Sequence, residues 1–195
     1  SDGYAGRVGH SATGLSKNTA LRGQILIAVG TPMYVPQIDS TYTWAAEPIS
    51  SSQAFLFDPA TETITEVSGL TYPRYGHVAV ENHLGDVVAI GGFNDQGSAF
   101  SQAFAEVFDP GDQSFHKISG ILTTGTAYHA AARLGEQGVM SCGGVNYVME
   151  AATECTIISG ERETATLAFP GVPTLGPSMV TMADDRILFT GGLDM

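Results

Sequence analysis

Three histidines recur at corresponding positions along the chain and are the first residues whose spacing could support metal chemistry. They are His10, His77 and His129. Imidazole is a common ligand for zinc and copper. A shared site would need three ligands within about 2 Å of one ion, whereas a repeat gives equivalent residues an equivalent radius without making them converge. We therefore predict no metal site and expect each histidine to bond to the backbone of a neighbouring unit.

The two cysteines could form a disulfide. Cys142 ends one apolar segment and Cys155 begins the next, so a bond between them would close the loop over residues 143–154. Such a bond would indicate an oxidising compartment. The alternative is a pair of small buried thiols in strands, and the sequence leaves both interpretations open. Few lysines and many Thr, Ser and Gly favour an extracytoplasmic location, which could be secreted, periplasmic or at the cell surface.

Two acidic segments suggest chemistry but are better explained as turns. Asp184-Asp185-Arg186 offers paired carboxylates, yet it aligns with a turn between two strands in another part of the chain. Asn94-Asp95-Gln96-Gly97 resembles a weak calcium loop, but it lacks the number of carboxylates that such a site needs. Asp and Asn are typical turn residues because their side chains bond to nearby backbone. We predict no catalytic residue and no cofactor.

The segments that must position these residues form a three-part phrase, repeated at intervals of about fifty residues. It consists of an Arg/Gly/His entry, an apolar segment ending in a glycine pair, and an apolar segment ending in Asp-Pro. The second copy is the cleanest, with Arg74-Tyr75-Gly76-His77, then Gly91-Gly92, then Asp109-Pro110. The first copy has Gly9-His10, Gly30-Thr31 and Asp58-Pro59; the third has Tyr128-His129, Gly143-Gly144 and Ser159-Gly160; the fourth has Pro177-Ser178 and Gly191-Gly192.

Spacing indicates that these segments are true copies. The residue that ends the third segment precedes the next histidine position by 19, 20 and 19 residues (58 to 77, 109 to 129, 159 to 178). A fixed period of this length is typical of stacked or radial repeats. Each copy contains short runs of Val, Ile, Phe and Thr bounded by Gly, Pro and Asp, which is the chemistry of strands and turns. We predict an all-β fold with scarce helix.

The phrase resembles the Kelch repeat in its bacterial variety, with R-x-G-H, an apolar segment ending in G-G, and F-D-P-x-T. The resemblance covers residues 7–195 and implies a β-propeller of four-stranded blades. The chain departs from the family at two points. The Trp that many Kelch repeats carry after the Asp-Pro turn is replaced by Ile64, Phe115 and Ala165, and the first glycine pair is Gly30-Thr31.

The number of copies predicts an incomplete ring. At about fifty residues per blade, the 195 residues hold three and a half blades, whereas closed propellers have roughly four to eight. We assign one partial propeller domain, with blade units at about 7–70, 71–122, 123–171 and an incomplete 172–195. The chain is then a piece of a larger propeller, or a protein partner or second chain completes the ring.

One unit carries an insertion rich in aromatic residues. The first unit has about ten more residues than the others between its glycine pair and its Asp-Pro turn, within residues 31–53. Aromatic residues in a polar loop on a rigid scaffold are typical of recognition surfaces, although Trp44 could instead fold back to cover its own blade or the next one. The predicted binding residues share one loop face: Tyr34, Tyr42, Trp44, Arg74, Tyr75, Phe93, Tyr128 and Tyr147.

Charge and family resemblance limit the function. A net charge of -12 argues against nucleic-acid or anionic-membrane binding, and no apolar run approaches the length that spans a bilayer. The Kelch resemblance extends to copper radical oxidases and a sugar epimerase, but no Tyr, Cys and His arrangement matches an oxidase motif. We expect a non-catalytic interaction or structural module in a larger extracytoplasmic assembly. The alternative is a piece of a propeller enzyme acting on carbohydrate, with its catalytic groups outside this chain.

Overall fold

The computed structural model describes residues 7–32, 51–94, 100–101, 103–118, 125–146, 148–159, 162–169, 171 and 173–194. These residues form an all-β fold with one short 3-10 turn at Gly135–Gln137. The all-β prediction is confirmed.

Strands follow the order of the sequence repeat. The first unit contains β1 Arg7–Val8, β2 Ser11–Gly14, β3 Ile25–Pro32, β4 Ser51–Asp58 and β5 Thr63–Val67. The second contains β6 Val78–Glu81, β7 Val87–Ile90, β8 Phe93–Asn94, β9 Phe100–Ser101, β10 Ala105–Asp109 and β11 Ser114–Ile118. The third contains β12 Ala130–Arg133, β13 Val139–Cys142, β14 Glu154–Ser159 and β15 Arg162–Ala168. The fourth contains β16 Thr174–Leu175, β17 Ser178–Thr181, β18 Ile187–Thr190 and β19 Leu193–Asp194.

Each of the first three units builds an antiparallel sheet whose four main strands are neighbours in sequence order. The pairings are β2-β3-β4-β5, β6-β7-β10-β11 and β12-β13-β14-β15. In the fourth unit β17 pairs with β18. Short connections can join antiparallel neighbours directly, which explains why the turn residues Asp58-Pro59 and Asp109-Pro110 stand at the ends of β4 and β10.

Successive sheets pack against one another through buried faces. Strand β6 lies against both β2 and β12, and β12 lies also against β17. All four residues of β7 are buried. Its alternate side chains Val87 and Ala89 join a cluster with the first unit, whereas Val88 and Ile90 join a cluster with the third. Because successive side chains of a strand point to opposite faces, β7 is covered on both sides.

The fourth unit leaves the equivalent apolar positions exposed within the described residues. Val180 pairs with Leu188 as Val80 pairs with Val88 in the second unit. Val88 is 2% exposed, but Leu188 is 49% exposed and Val180 53%. An apolar face that is covered in one unit is therefore open to solvent in the fourth.

The structure corrects the position of the first glycine pair. The backbone N–H of Gly30 donates to the carbonyl of Arg74 at 3.1 Å, as that of Gly92 donates to Thr126 at 2.8 Å. Gly30 is therefore the second member of its pair, and Val29 is the first. Val29 has a positive φ of 48° where Gly91 has 62°. The pair is therefore Val29-Gly30 rather than Gly30-Thr31. Valine occupies its first position although the backbone conformation there favours glycine.

Register also moves one residue in the fourth unit. Pro177 lies directly before β17, as His77 lies directly before β6. Pro177 rather than Ser178 therefore takes the histidine position, and the third interval is 18 residues (159 to 177) instead of 19. Ser178 pairs with Thr190 as the first residue of its strand.

Candidate functional site

Every unit forms the same small ladder on the face where its glycine pair ends. An entry residue pairs with the residue that follows the glycine pair, and we call these four pairs the collar. They are Val8 with Thr31, Tyr75 with Phe93, Ala127 with Val145, and Leu175 with Leu193. Most of these side chains are apolar or aromatic, and Leu193 is 69% exposed. The repeat therefore gathers one apolar position from each unit at one face.

A chain of backbone hydrogen bonds links the units beside the collar. The N–H of Gly76 donates to the carbonyl of Gly9 at 2.9 Å, that of Tyr128 to Gly76 at 2.8 Å, and that of Gly176 to Tyr128 at 2.8 Å. All four residues have positive φ values between 54° and 66°. The position therefore favours glycine, because a Cβ makes this conformation unfavourable. Tyr128 takes it in the third unit.

Three of the predicted binding residues form one aromatic cluster. The ring centroids of Tyr75 and Phe93 lie 5.9 Å apart, and those of Phe93 and Tyr128 also lie 5.9 Å apart. This separation is within the range of favourable edge and tilted pairs. Tyr128 is 41% exposed, so the cluster, which we call the aromatic cluster, presents a ring to solvent.

A cleft lies beside the exposed ring. It has a volume of about 450 Å³ and is lined by Tyr128 together with Leu175, Gly176, Gly192 and Leu193. These residues come from the third and fourth units. The cleft is open, so an apolar group bound there would contact the Tyr128 ring and the collar together.

Arg74 is not part of this exposed surface, which corrects its prediction as a binding residue. Its side chain is fully buried and forms a salt bridge with the equally buried Glu106. Its Nη1 also donates to the carbonyl of Gly91 at 3.0 Å. Burial lowers the pKa of Arg74, and the opposing charge of Glu106 raises it. The Arg74 guanidinium thus has a structural role, because it connects the entry segment of the second unit to β10 and to the glycine pair of the same unit.

The remaining predicted binding residues lie outside the described part of the chain. They are Tyr34, Tyr42 and Trp44 of the insertion, and Tyr147.

The three equivalent histidines do not combine into a metal-binding group in the described part of the chain. His77 is buried, and its Nε2 lies 2.8 Å from Oγ of Ser11 in the preceding unit. The contact is with a side chain, not with the backbone that the sequence led us to expect. His129 is buried, whereas His10 is exposed. Burial lowers the pKa of His129 to about 4 and that of His77 well below its usual value. Both imidazole side chains are therefore uncharged at neutral pH.

Cys142 and Cys155 form a disulfide, with their Cα atoms 4.3 Å apart. The two residues are direct partners across β13 and β14. Both residues are buried. The bond therefore joins the two neighbouring strands inside the protein, at the base of the loop that follows the glycine pair.

Other candidates from the sequence have ordinary structural roles. Asp184 and Asp185 lie in an exposed turn between β17 and β18, where Asp184 pairs with Arg186 at 2.7 Å. Among the described residues, no three His, Cys, Asp or Glu side chains gather closely enough to hold a metal ion. In the same part of the chain, no helix is long and apolar enough to cross a membrane.

Comparison with known proteins gives a likeness of fold. No family model matches the chain, and no curated protein matches it. Among solved structures, 164 chains match. One of them, described as "Structure of YjhT", is similar with a TM-score of 0.72 at 15% sequence identity, over 95% of this chain and 59% of that chain. The chain thus spans less than two thirds of that structure's length, and at this identity the likeness concerns the fold alone.

Sequence reasoning missed the partner of Arg74. Glu106 stands within the apolar strand β10, at a position that the repeat fills with Phe55 in the first unit. An acidic residue within a buried strand requires a cation or hydrogen-bond donors. The pairing with Arg74 could have been inferred from that rule.

Proposed function

We propose that this chain is part of a Kelch-like β-propeller that serves as a non-catalytic interaction module in a larger extracytoplasmic assembly. Support for the propeller comes from three consecutive four-stranded antiparallel sheets whose first strands lie side by side. Their equivalent entry residues and glycine pairs form equivalent backbone bonds between units. A propeller arranges its blades in this way around a central axis.

The aromatic cluster is the observation that carries the interaction role. Tyr75, Phe93 and Tyr128 come from two consecutive units and meet at the collar. Tyr128 adopts a backbone conformation that glycine adopts at the other three equivalent positions. Such strain costs on the order of 1 kcal/mol and is concentrated at functional sites. Exposed aromatic residues beside a cleft are also typical anchors of protein interfaces.

We expect the exposed apolar face of the fourth unit to be covered by a partner as well. Val180 and Leu188 present an exposed apolar face that corresponds to a buried one in the second unit. Exposed sheet faces and edges favour association. Further blades, or a second chain, cover this face in the assembly and complete the ring.

The disulfide supports the extracytoplasmic location. Bonds such as Cys142–Cys155 persist in oxidising compartments and are rare in reducing ones.

The test compares binding by the parent chain and by a variant of the aromatic cluster. Three immobilised proteins are incubated with the extracytoplasmic fraction of the source cells, and the proteins that each retains are compared. They are the parent, the cluster variant Tyr75→Ser/Phe93→Ser/Tyr128→Gly and the control Ile64→Ser/Leu84→Ser. Ile64 and Leu84 are 63% and 67% exposed and lie away from the collar. We expect one protein that the parent and the control retain and the cluster variant loses by at least about tenfold, which corresponds to 1.4 kcal/mol.

A parallel set of oligosaccharides separates the carbohydrate alternative. If the parent binds and converts a sugar while no protein depends on the cluster, the non-catalytic proposal is wrong. Equal retention of every protein by parent and cluster variant would contradict the role of the aromatic cluster.

A further inference from the structure

The second and third units differ at one buried site, although their backbones correspond. In the second unit, Glu106 pairs with Ala89 across β10 and β7. In the third, Thr156 pairs with Ser141 across β14 and β13. This register makes Thr156 the counterpart of Glu106, and the same alignment makes Thr126 the counterpart of Arg74 and Glu154 that of Phe104.

In the second unit the site is filled by an arginine side chain. The Arg74 guanidinium pairs with Glu106, donates to the carbonyl of Gly91, and lies 4.8 Å from the centre of the Phe104 ring. Glu106 also accepts a hydrogen bond from the backbone N–H of Thr71 at 2.6 Å. Charge, hydrogen bonds and stacking therefore hold one guanidinium in a closed site.

In the third unit the same site is a cavity. Threonines replace both Arg74 and Glu106, and the smaller side chains leave a pocket of about 400 Å³. Its lining includes Thr126, Ser141 and Thr156 as well as Gly143, the counterpart of Gly91. The volume is sufficient for the side chain that is missing.

Two hydroxyl-bearing side chains in the pocket lining are largely buried. They are Thr126 and Ser141, which are 9% and 5% exposed. Both hydroxyl groups can accept hydrogen bonds from a ligand N–H, as can the carbonyl of Gly143.

Negative charge remains at the pocket, two residues away along the same strand face. Glu154 and Thr156 point to one side of β14 because side chains alternate along a strand, so the carboxylate has moved from the Glu106 position to the Phe104 position. Glu150 also lines the pocket, where its carboxylate accepts a hydrogen bond from Nδ2 of Asn146 at 2.9 Å. Neither glutamate pairs with a cation among the described side chains.

We propose that this pocket binds a guanidinium group in the position that corresponds to the Arg74 guanidinium of the second unit. The ligand is an arginine side chain or a small arginine-like molecule. Its N–H groups donate to the hydroxyls of Thr126 and Ser141 and to the carbonyl of Gly143, and Glu154 supplies the opposing charge. Guanidinium groups form strong charge-assisted bonds with carboxylates.

The test titrates the purified chain with acetyl-arginine methylamide and with methylguanidinium, using calorimetry. Acetyl-citrulline methylamide is the uncharged control of the same shape. We expect saturable binding of both guanidinium compounds and at least tenfold weaker binding of the citrulline compound. Tighter binding of acetyl-arginine methylamide than of methylguanidinium identifies an arginine side chain as the ligand, whereas similar binding identifies a small guanidinium compound. Equal binding of arginine and citrulline compounds overturns the proposal.

Variants place the ligand within the pocket. Thr126→Arg/Thr156→Glu copies the second unit's pair into the third, so we expect it to abolish binding and to raise the thermal midpoint. Glu154→Gln should weaken binding about tenfold, and the matched loss of an exposed charge in Glu66→Gln should leave it unchanged. Unaltered binding in Glu154→Gln overturns the proposal even if the double variant fails to fold. Because these probes do not use the collar, their outcome is independent of the proposed interaction role.

Discussion

The ring of Tyr128 lies directly on the backbone of Gly76. A methyl group built on Gly76 would come within 3.1 Å of Cε1 of Tyr128, and the N–H of Tyr128 donates to the Gly76 carbonyl at 2.8 Å. The second unit therefore fixes the aromatic side chain of the third. An exposed ring held in this way loses little conformational freedom on binding, which favours affinity.

The strain at Tyr128 can be measured by comparing two truncations. Tyr128→Ala and Tyr128→Gly both remove the ring and its contact with Phe93, but alanine retains a Cβ at a φ of 54°. We expect the glycine variant to be more stable than the alanine variant by about 1–2 kcal/mol. Urea unfolding gives the difference. An alanine variant as stable as the glycine variant would show that the backbone at this position is not strained.

The buried salt bridge predicts a large effect of removing one partner. Glu106→Gln leaves the Arg74 charge buried without its counterion, and we expect a loss of about 3–5 kcal/mol in the free energy of unfolding. Arg74→Met/Glu106→Leu should be less destabilised than Glu106→Gln because neither charge remains. Asp184→Asn breaks an exposed pair with Arg186 and should cost less than about 1 kcal/mol. Similar losses in Glu106→Gln and Asp184→Asn would contradict the buried pair.

Two glycines differ in the space available for an added methyl group. At Gly91 a Cβ would lie 2.2 Å from the carbonyl oxygen of Thr126 in the next unit, and φ is +62°. Gly14 lies in β2, and a methyl group added there would meet no described atom within 4 Å. Gly91→Ala should therefore destabilise the chain by more than about 2 kcal/mol, and Gly14→Ala should change stability by less than about 0.5 kcal/mol. Thermal unfolding of both variants measures the contrast, and a tolerated Gly91→Ala would argue against this contact between units.

Buried His129 predicts a loss of stability in mild acid. Its pKa is lowered to about 4 in the folded protein by burial, whereas an unfolded histidine titrates near 6.5. As pH falls from 6.5 towards 4, the unfolded state binds a proton that the folded state excludes, so the free energy of unfolding decreases. The loss is about 1.6 kcal/mol between pH 6.5 and 5.

The measurement is the pH dependence of unfolding in the parent and in His129→Asn. The variant should lose less stability than the parent over that interval, whatever its stability at pH 7. Parallel curves would show that His129 takes up its proton equally in both states. His77, whose pKa is lowered chiefly by burial and also by Arg74, should act in the same direction.

Local patterns predicted the sheets because each strand carries its own evidence. Apolar runs bounded by turn residues placed β7 and β10, and the repeat predicted equivalent roles for His77 and His129. The predicted exposure of Arg74 was wrong because exposure depends on Glu106, which lies 32 residues further along the chain. The first glycine pair was placed one residue too late because its first position holds Val29. A pattern based on residue type contains no information about φ. The pocket was not predictable from one unit, because it results from differences between two.

The proposed role of the collar is tested most directly by site-specific photo-crosslinking in the cells that produce the protein. Benzoylphenylalanine replaces Tyr128 in one variant and the 63% exposed Ile64 in another. The proposal predicts one discrete adduct at position 128, absent at position 64 and lost when Tyr75 and Phe93 are replaced by serine. Identical adducts at both positions, or none at position 128, would contradict it.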